Sequence, residues 1–213
     1  MRPFTLGASM AALLATAAVA AAPSPRAGLY NATEHELVAG LDLKADGKFR
    51  FGLSYGALDE QAQGRWVEKD GQVLLTTEPV VVPPRFKLMK DEPVADGAYY
   101  ASLDEPDALG DFSLTLAVKY RGETAIKYIE ADEDGRVPID PGKVVETIVP
   151  DLPVYTIPYA PFAMKPGGHR LVFHFEANDV GKADFKSQPV AIEGEDLVMK
   201  RYDRVIHFKR GLN

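Results

Sequence analysis

Apolar and polar residues alternate with a period of two along much of the chain. Between Lys48 and Tyr55 every second side chain is apolar, and the intervening positions are small or polar. Successive side chains of a strand point to opposite faces, so this pattern predicts a strand with one buried face. The same alternation recurs in residues 113–120 and 170–176. The sequence therefore predicts an all-β fold.

Tight turns separate the predicted strands. Asp-Gly pairs occupy positions 46–47, 70–71 and 134–135, and glycine tolerates the positive φ that such hairpin turns need. No window longer than two helical turns shows an apolar stripe at helical spacing. Only the stretch Ala57–Gln63 is compatible with a single turn of helix.

Two segments that lie far apart in the chain are predicted to form one sheet. Residues 28–77 form a tight meander of short strands, and residues 185–210 follow the same pattern. We predict an antiparallel meander or open barrel built from residues 26–95 and 184–210, with a β-sandwich of residues 96–183 inserted into it. A single continuous sandwich is the alternative.

Parts of the chain resemble known β folds. The 28–77 meander runs through G-L-Y, a strand, D-G, a strand and G-R-W. It resembles the hairpin units of small bacterial envelope proteins with lipocalin-like or META-like barrels. In the middle section a V-K-Y-R-G turn is followed by A-I-K-Y-I-E-A and D-G-R, which is similar to a transthyretin-like or immunoglobulin-like sandwich. The second resemblance implies a fold and no activity.

The first twenty residues have the layout of a cleavable signal peptide. One positive charge, Arg2, precedes an apolar or small-residue stretch from Leu6 to Ala22, and this stretch is too short and too rich in alanine for a permanent membrane span. Ala18 and Ala20 fit an A-x-A cleavage site. We therefore expect a periplasmic or secreted protein whose mature chain begins at Ala21.

The composition of the chain argues against several classes of function. The net charge is −7 and the sequence has no run of basic residues, so nucleic-acid binding is not expected. No later apolar stretch approaches membrane length, which argues against integral membrane insertion. The chain has no cysteine, so we expect its stability to come from an apolar core and not from disulfides.

One short match to a catalytic motif occurs. Residues 52–56, G-L-S-Y-G, fit the G-x-S-x-G pattern of serine hydrolases. That chemistry needs the serine on a sharp turn between a strand and a helix, with an oxyanion hole beside it. Ser54 instead lies within an alternating strand, so we interpret the match as coincidence.

No metal or cofactor is predicted. The four histidines are dispersed, and only His174 shares a strand face with a nearby acidic residue, Glu176. Zinc requires three or four ligands. The acidic run Glu130–Asp134 lacks the ligand spacing of a calcium loop, so we interpret it as a charged hairpin tip.

Loop aromatics are the best candidates for a binding surface. A proline-rich passage at residues 149–166 carries Tyr155, Tyr159 and Phe162. Proline cannot donate to a central strand, so this passage should run along an edge or over the surface. There its rings either cover the core or meet a partner.

A second candidate cluster combines Tyr55 and Trp66 near the polar loop 56–63. That loop also carries the adjacent acidic residues Asp59 and Glu60. Paired carboxylates can divide acid and base roles when their environments differ, but in a polar loop they normally stay ionised and solvated.

These observations predict an exported, noncatalytic envelope protein. We expect it to bind a small apolar or aromatic ligand, or another envelope protein, through its loop aromatics. The first alternative is a periplasmic hydrolase that uses Ser54 or the Asp59 and Glu60 pair. The second alternative is a structural or assembly module.

Overall fold

The computed structural model describes residues 24–211, which contain sixteen β-strands and no helix. The predicted signal peptide and the mature start at Ala21 lie outside the described residues. The first five strands are β1 (Gly28–Glu34), β2 (Leu37–Leu43), β3 (Lys48–Tyr55), β4 (Leu58–Lys69) and β5 (Gln72–Thr77). The next eight are β6 (Arg85–Val94), β7 (Tyr99–Leu103), β8 (Thr115–Tyr120), β9 (Ile126–Glu130), β10 (Arg136–Val137), β11 (Val145–Asp151), β12 (Phe162–Ala163) and β13 (Gly168–Glu176). The last three are β14 (Lys186–Glu193), β15 (Asp196–Arg201) and β16 (Arg204–Arg210).

The first five and the last three strands form a closed antiparallel barrel. Their order around the barrel is β1-β2-β3-β4-β5-β14-β15-β16, so every strand pairs with its neighbours in an up-and-down arrangement. Pairing of β1 with β16, through Tyr30 with Arg210 and Asn31 with Lys209, closes the circle. The prediction that the two ends of the chain build one β unit is confirmed. The barrel is closed rather than open, so none of its strands is left as a free edge.

The strands between β5 and β14 form the inserted sandwich. One sheet has the order β10-β7-β13-β6 and the other β12-β11-β8-β9. All pairs are antiparallel except β7 with β13. The fold is therefore all-β, as the alternation predicts.

The structure differs from the sequence-based expectations at two places. Strand β6 pairs with β13 of the sandwich and with no barrel strand, so the predicted boundary at residue 95 falls one strand too late. Residues 57–63 do not form a helical turn, because β4 begins at Leu58. The segment that follows β13 returns to the barrel at β4. There Gly181 and Ala183 exchange backbone hydrogen bonds of 2.9 Å with Gln61.

Side chains from every strand fill the barrel interior. The residues whose exposure is zero or close to zero include Tyr30, Leu41, Phe49, Leu75, Val190, Met199 and Phe208. Trp66 lies among them and donates its indole N–H to the Lys44 carbonyl at 2.9 Å. A second cluster fills the sandwich, and Tyr155 packs against both clusters. Among residues 24–211 no helix is long and apolar enough to span a membrane.

Candidate functional site

One end of the barrel faces the sandwich, and we call it the mouth. The antiparallel strand order places the turns β1–β2, β3–β4 and β15–β16 at this end, together with the two connections to the sandwich. Four surface crevices surround the seam between mouth and sandwich. Domain junctions of this kind are a preferred location for ligand sites.

Three of these crevices contain candidate residues. The Ser54 crevice, of about 530 Å³, runs along the outer wall of β2, β3 and β4 to Tyr155 and Gly181. The Arg201 crevice, of about 490 Å³, lies between the linker 80–84 and the segment 179–186. The apolar crevice, of about 390 Å³, is walled by the same linker and by residues 157–162. Tyr155 and Glu60 line both of the first two crevices, so these two adjoin.

A charged pair lies inside the mouth. The Arg201 guanidinium donates to both carboxylate oxygens of Glu60, with Nε–O and Nη2–O distances of 2.7 to 2.9 Å. The side chains are only 17% and 10% exposed. Both residues continue the inward-facing alternation of their strands, because Leu58 and Ala62 flank Glu60 in the buried row of β4. Among the described residues at the seam, this pair is the least exposed salt bridge between an arginine or lysine and a carboxylate.

Aromatic rings surround the Arg201 guanidinium. Its central carbon lies 5.1 Å from the ring centre of Phe185 and 4.6 Å from that of Tyr202, which are distances typical of cation–π contact. The Tyr202 hydroxyl lies 3.0 Å from Arg201 Nη2. Burial raises the pKa of the Tyr202 hydroxyl, and a hydrogen bond with Glu60 raises it further. The phenol therefore stays protonated and remains a hydrogen-bond donor.

Ser54 has an acidic neighbour and no histidine neighbour. Its Oγ donates to Asp59 Oδ1 at 2.5 Å on the outer wall of the barrel. Within residues 24–211 no histidine hydrogen-bonds Ser54 or lines the Ser54 crevice. A serine nucleophile needs a base within hydrogen-bond reach, and the described surroundings of Ser54 do not supply a histidine.

Two histidines instead join segments of the sandwich. His169 is buried, with Nδ1 at 2.5 Å from Asp91 and Nε2 at 2.9 Å from the Lys165 carbonyl. His174 contacts Asp104 at 3.0 Å on the outer face. Within the described part of the chain, no three histidine, aspartate or glutamate side chains gather as a set of metal ligands.

We expect the Ser54→Ala variant to fold and function normally. The change removes one exposed hydrogen bond, which contributes roughly 0.5 to 1.5 kcal/mol to the free energy of unfolding. Thermal melts and complementation of a gene deletion measure the two effects. A folded Ser54→Ala protein that fails to complement would favour the hydrolase alternative.

The apolar crevice lies at an open edge of the sandwich, beside the proline-rich passage. Phe162 reaches into it from β12 and packs against Phe173, with ring centres 5.6 Å apart. Phe86 lines it from β6 and packs against Phe175 at 4.8 Å. Its lining residues are Val82, Pro83, Arg85, Phe86, Val149, Pro150, Ile157, Pro158, Ala160, Phe162 and Asn178. Only two of these side chains, Arg85 and Asn178, are polar.

The structure brings together part of the predicted surface. Asp59, Glu60 and Tyr155 line the Ser54 crevice, and Tyr55 ends β3 at the mouth, 4.8 Å from the Arg204 guanidinium. Of the other loop aromatics, Phe162 lines the apolar crevice, and Tyr159 is 60% exposed.

Tyr55 and Trp66 do not form the predicted cluster. Strand β4 is twelve residues long and begins at the mouth, and a strand rises about 3.3 Å per residue. Trp66 therefore lies near the opposite end of the barrel, where it is buried and belongs to the core.

Three further parts of the site, Arg201, Tyr202 and the linker 80–84, were not among the predicted residues. The signal for Arg201 is present, because it extends the apolar alternation of Leu197 and Met199 with a charged residue. A charged residue at a position that the alternation places in the core indicates an oppositely charged partner or a functional site, because a buried charge without a partner is costly.

Comparisons of the chain with protein families, with curated proteins and with solved structures found no match.

Proposed function

We propose that this protein is exported and works as a noncatalytic binding protein, which holds an apolar or aromatic group in the apolar crevice. The predicted signal peptide supports export to the periplasm or beyond the cell. The composition of the crevice lining carries the proposal. Nine of its eleven lining residues are apolar, and they include the rings of Phe86 and Phe162.

The walls of the crevice are held in place before any ligand arrives. Prolines at positions 83, 150 and 158 restrict the backbone around the crevice. Asn178 donates to the Pro83 carbonyl at 3.0 Å, and Asp179 accepts from the Val82 amide at 2.9 Å. A preformed wall lowers the ordering cost of binding. The volume lies within the usual range of about 300 to 1,000 Å³ for small-molecule sites.

The barrel interior offers a poorer site than the crevice. Large side chains, among them Phe49, Phe51 and Trp66, fill it from one end to the other. In barrels of eight strands the interior is just wide enough for side chains or for one small ligand. The lipocalin-like resemblance therefore supports a barrel scaffold, and the binding surface lies where the scaffold meets the sandwich.

Filling the crevice should abolish binding. Ala160 is exposed and lines the crevice, so Ala160→Trp places a large ring in it without removing a core contact. We expect this variant to bind the hydrophobic fluorescent probe N-phenyl-1-naphthylamine about tenfold more weakly or not at all. The enhancement of probe fluorescence measures binding.

Ala163→Trp is the matched control. Ala163 is also exposed and lies one residue beyond Phe162, but it does not line the apolar crevice. This variant should bind the probe as the unmodified protein does. Equal binding by both tryptophan variants, or no binding by the unmodified protein, would contradict the proposal.

A further inference from the structure

Strand β6 has a free edge. It is the last strand of its sheet and pairs only with β13. In the described part of the chain, no backbone group between Arg85 and Pro93 has a hydrogen-bond partner outside that ladder. An unpaired row of N–H and C=O groups is a template for an additional strand.

The regular part of this edge adjoins the apolar crevice. Residues 85–88 pair without interruption with residues 173–176. The register then shifts, and Met89 has no partner in the ladder. Arg85 and Phe86 belong both to this regular part and to the crevice lining. A strand added beside residues 85–88 therefore brings its side chains to the crevice.

The regular part of this edge is basic, although the chain as a whole carries a net charge of −7. Arg85 and Lys87 are exposed on it, and Lys90 follows the register shift. The acidic residues Asp91 and Glu92 come next on β6, and Asp91 contacts His169. Glu176 of β13 is the acidic group that pairs with Arg85 and Lys87. Hydrogen bonds from those two cations lower the pKa of Glu176 to about 2, so Arg85, Lys87 and Glu176 together carry one excess positive charge beside residues 85–88.

The other long free edge of the sandwich lacks these features. Strand β9 ends the opposite sheet and exposes Tyr128, but its residues do not line the crevices described above. The bulge at Met89 also restricts pairing along β6 beyond residue 88. The acceptor edge is therefore short and selective.

We propose that β6 accepts an extended acidic segment of a partner protein as an added strand along residues 85–88. An apolar or aromatic side chain of that segment enters the apolar crevice, while its carboxylates face Arg85, Lys87 and Lys90. This inference rests on the proposed function and names its ligand as a peptide segment.

The probe is a fluorescein-labelled peptide, Asp-Val-Glu-Phe-Asp, with blocked ends. It should bind the full-length protein, and an otherwise identical peptide with N-methylated valine, glutamate and phenylalanine backbones should bind at least tenfold more weakly. The methylated peptide keeps every side chain and loses ladder donors. Fluorescence anisotropy measures both affinities, and amide hydrogen exchange should slow at residues 85–88 and not at residues 126–130.

Charge reversal tests the acidic character of the partner. Lys90→Glu should weaken binding of the acidic peptide several-fold and make it less sensitive to salt. Lys69→Glu reverses an exposed lysine at the far end of β4 and should leave affinity unchanged. Thermal melts confirm that each variant is folded.

The outcomes separate the two proposals. If N-phenyl-1-naphthylamine binds in an Ala160-dependent way and the peptide does not bind, the added strand is wrong and the crevice function stands. If the two peptides bind equally, the backbone ladder is wrong. If neither probe binds the unmodified protein, both proposals are wrong.

Discussion

Deleting Glu195–Asn213 should unfold the barrel. The deletion removes β15 and β16, which close the barrel between β14 and β1. Four large side chains of these strands, at positions 197, 199, 206 and 208, are fully buried. At roughly 1.5 to 3 kcal/mol each, they contribute about 6 to 12 kcal/mol. The net stability of a domain is typically about 5 to 15 kcal/mol, so this loss is sufficient to unfold it.

Trp66 reports this loss specifically. It is the only tryptophan of the chain, and it lies in the barrel core rather than in the sandwich. We expect its fluorescence to shift to the red in the truncated protein, while circular dichroism retains the part of the β signal that the sandwich contributes. Deleting only residues 212–213 leaves every described strand whole and serves as the control. Unchanged Trp66 emission after the longer deletion would contradict the shared barrel.

The sequence predicts strands well wherever their inward positions are large and apolar. In β3 the inward row is Phe49, Phe51 and Leu53, and the period of two is unmistakable. In the first half of β4 the inward positions are Leu58, Glu60 and Ala62. A charged and a small residue hide the alternation there, which explains why the sequence of residues 57–63 is also compatible with a single turn of helix.

Closure of the barrel depends on contacts between the ends of the chain. Strand β1 places only Tyr30 and Ala32 among the buried residues, so its pattern is weak. Its pairing with β16 spans almost the whole described chain. Local alternation carries no information on such a pairing, and the prediction therefore named a meander or open barrel.

The sequence predicts only part of the candidate site, because local alternation carries no information on contacts between distant segments. Prolines mark the 149–166 passage as surface, and Tyr155 and Phe162 do line crevices at the seam. The partners of these rings come from distant segments, such as Phe86 and Arg201. Alternation identifies which face a residue takes, but not which residue lies opposite across a junction between two units.

Removing either member of the Glu60–Arg201 pair should destabilise the protein by about 3 kcal/mol. This is the low end of the range for breaking a buried ion pair, because both side chains keep some contact with water. In Glu60→Met the guanidinium loses its carboxylate and keeps its charge beside Phe185. In Arg201→Met the Glu60 carboxylate loses the three hydrogen bonds of the pair. Urea unfolding measures both changes.

The double variant Glu60→Met with Arg201→Met should recover most of the lost stability. Replacing both charges by apolar side chains leaves no uncompensated group in the mouth, and such replacements are often nearly neutral. The four proteins form a double-mutant cycle. With a loss of about 3 kcal/mol in each single variant and of about 1 kcal/mol in the double variant, the expected coupling energy is about 5 kcal/mol. Additive losses in the double variant would show that the two residues act independently.

An exposed pair on the same barrel provides the control for this cycle. Arg65 Nε lies 3.1 Å from Glu78 Oε2, but the two side chains are 65% and 53% exposed. The chemical groups are identical to those in the mouth, but this pair makes a single hydrogen bond and is far more exposed to solvent. A cycle with Arg65→Met and Glu78→Met should give a coupling energy below about 1 kcal/mol. Equal coupling in the two cycles would mean that neither burial nor the bidentate geometry sets the strength of the Glu60–Arg201 pair.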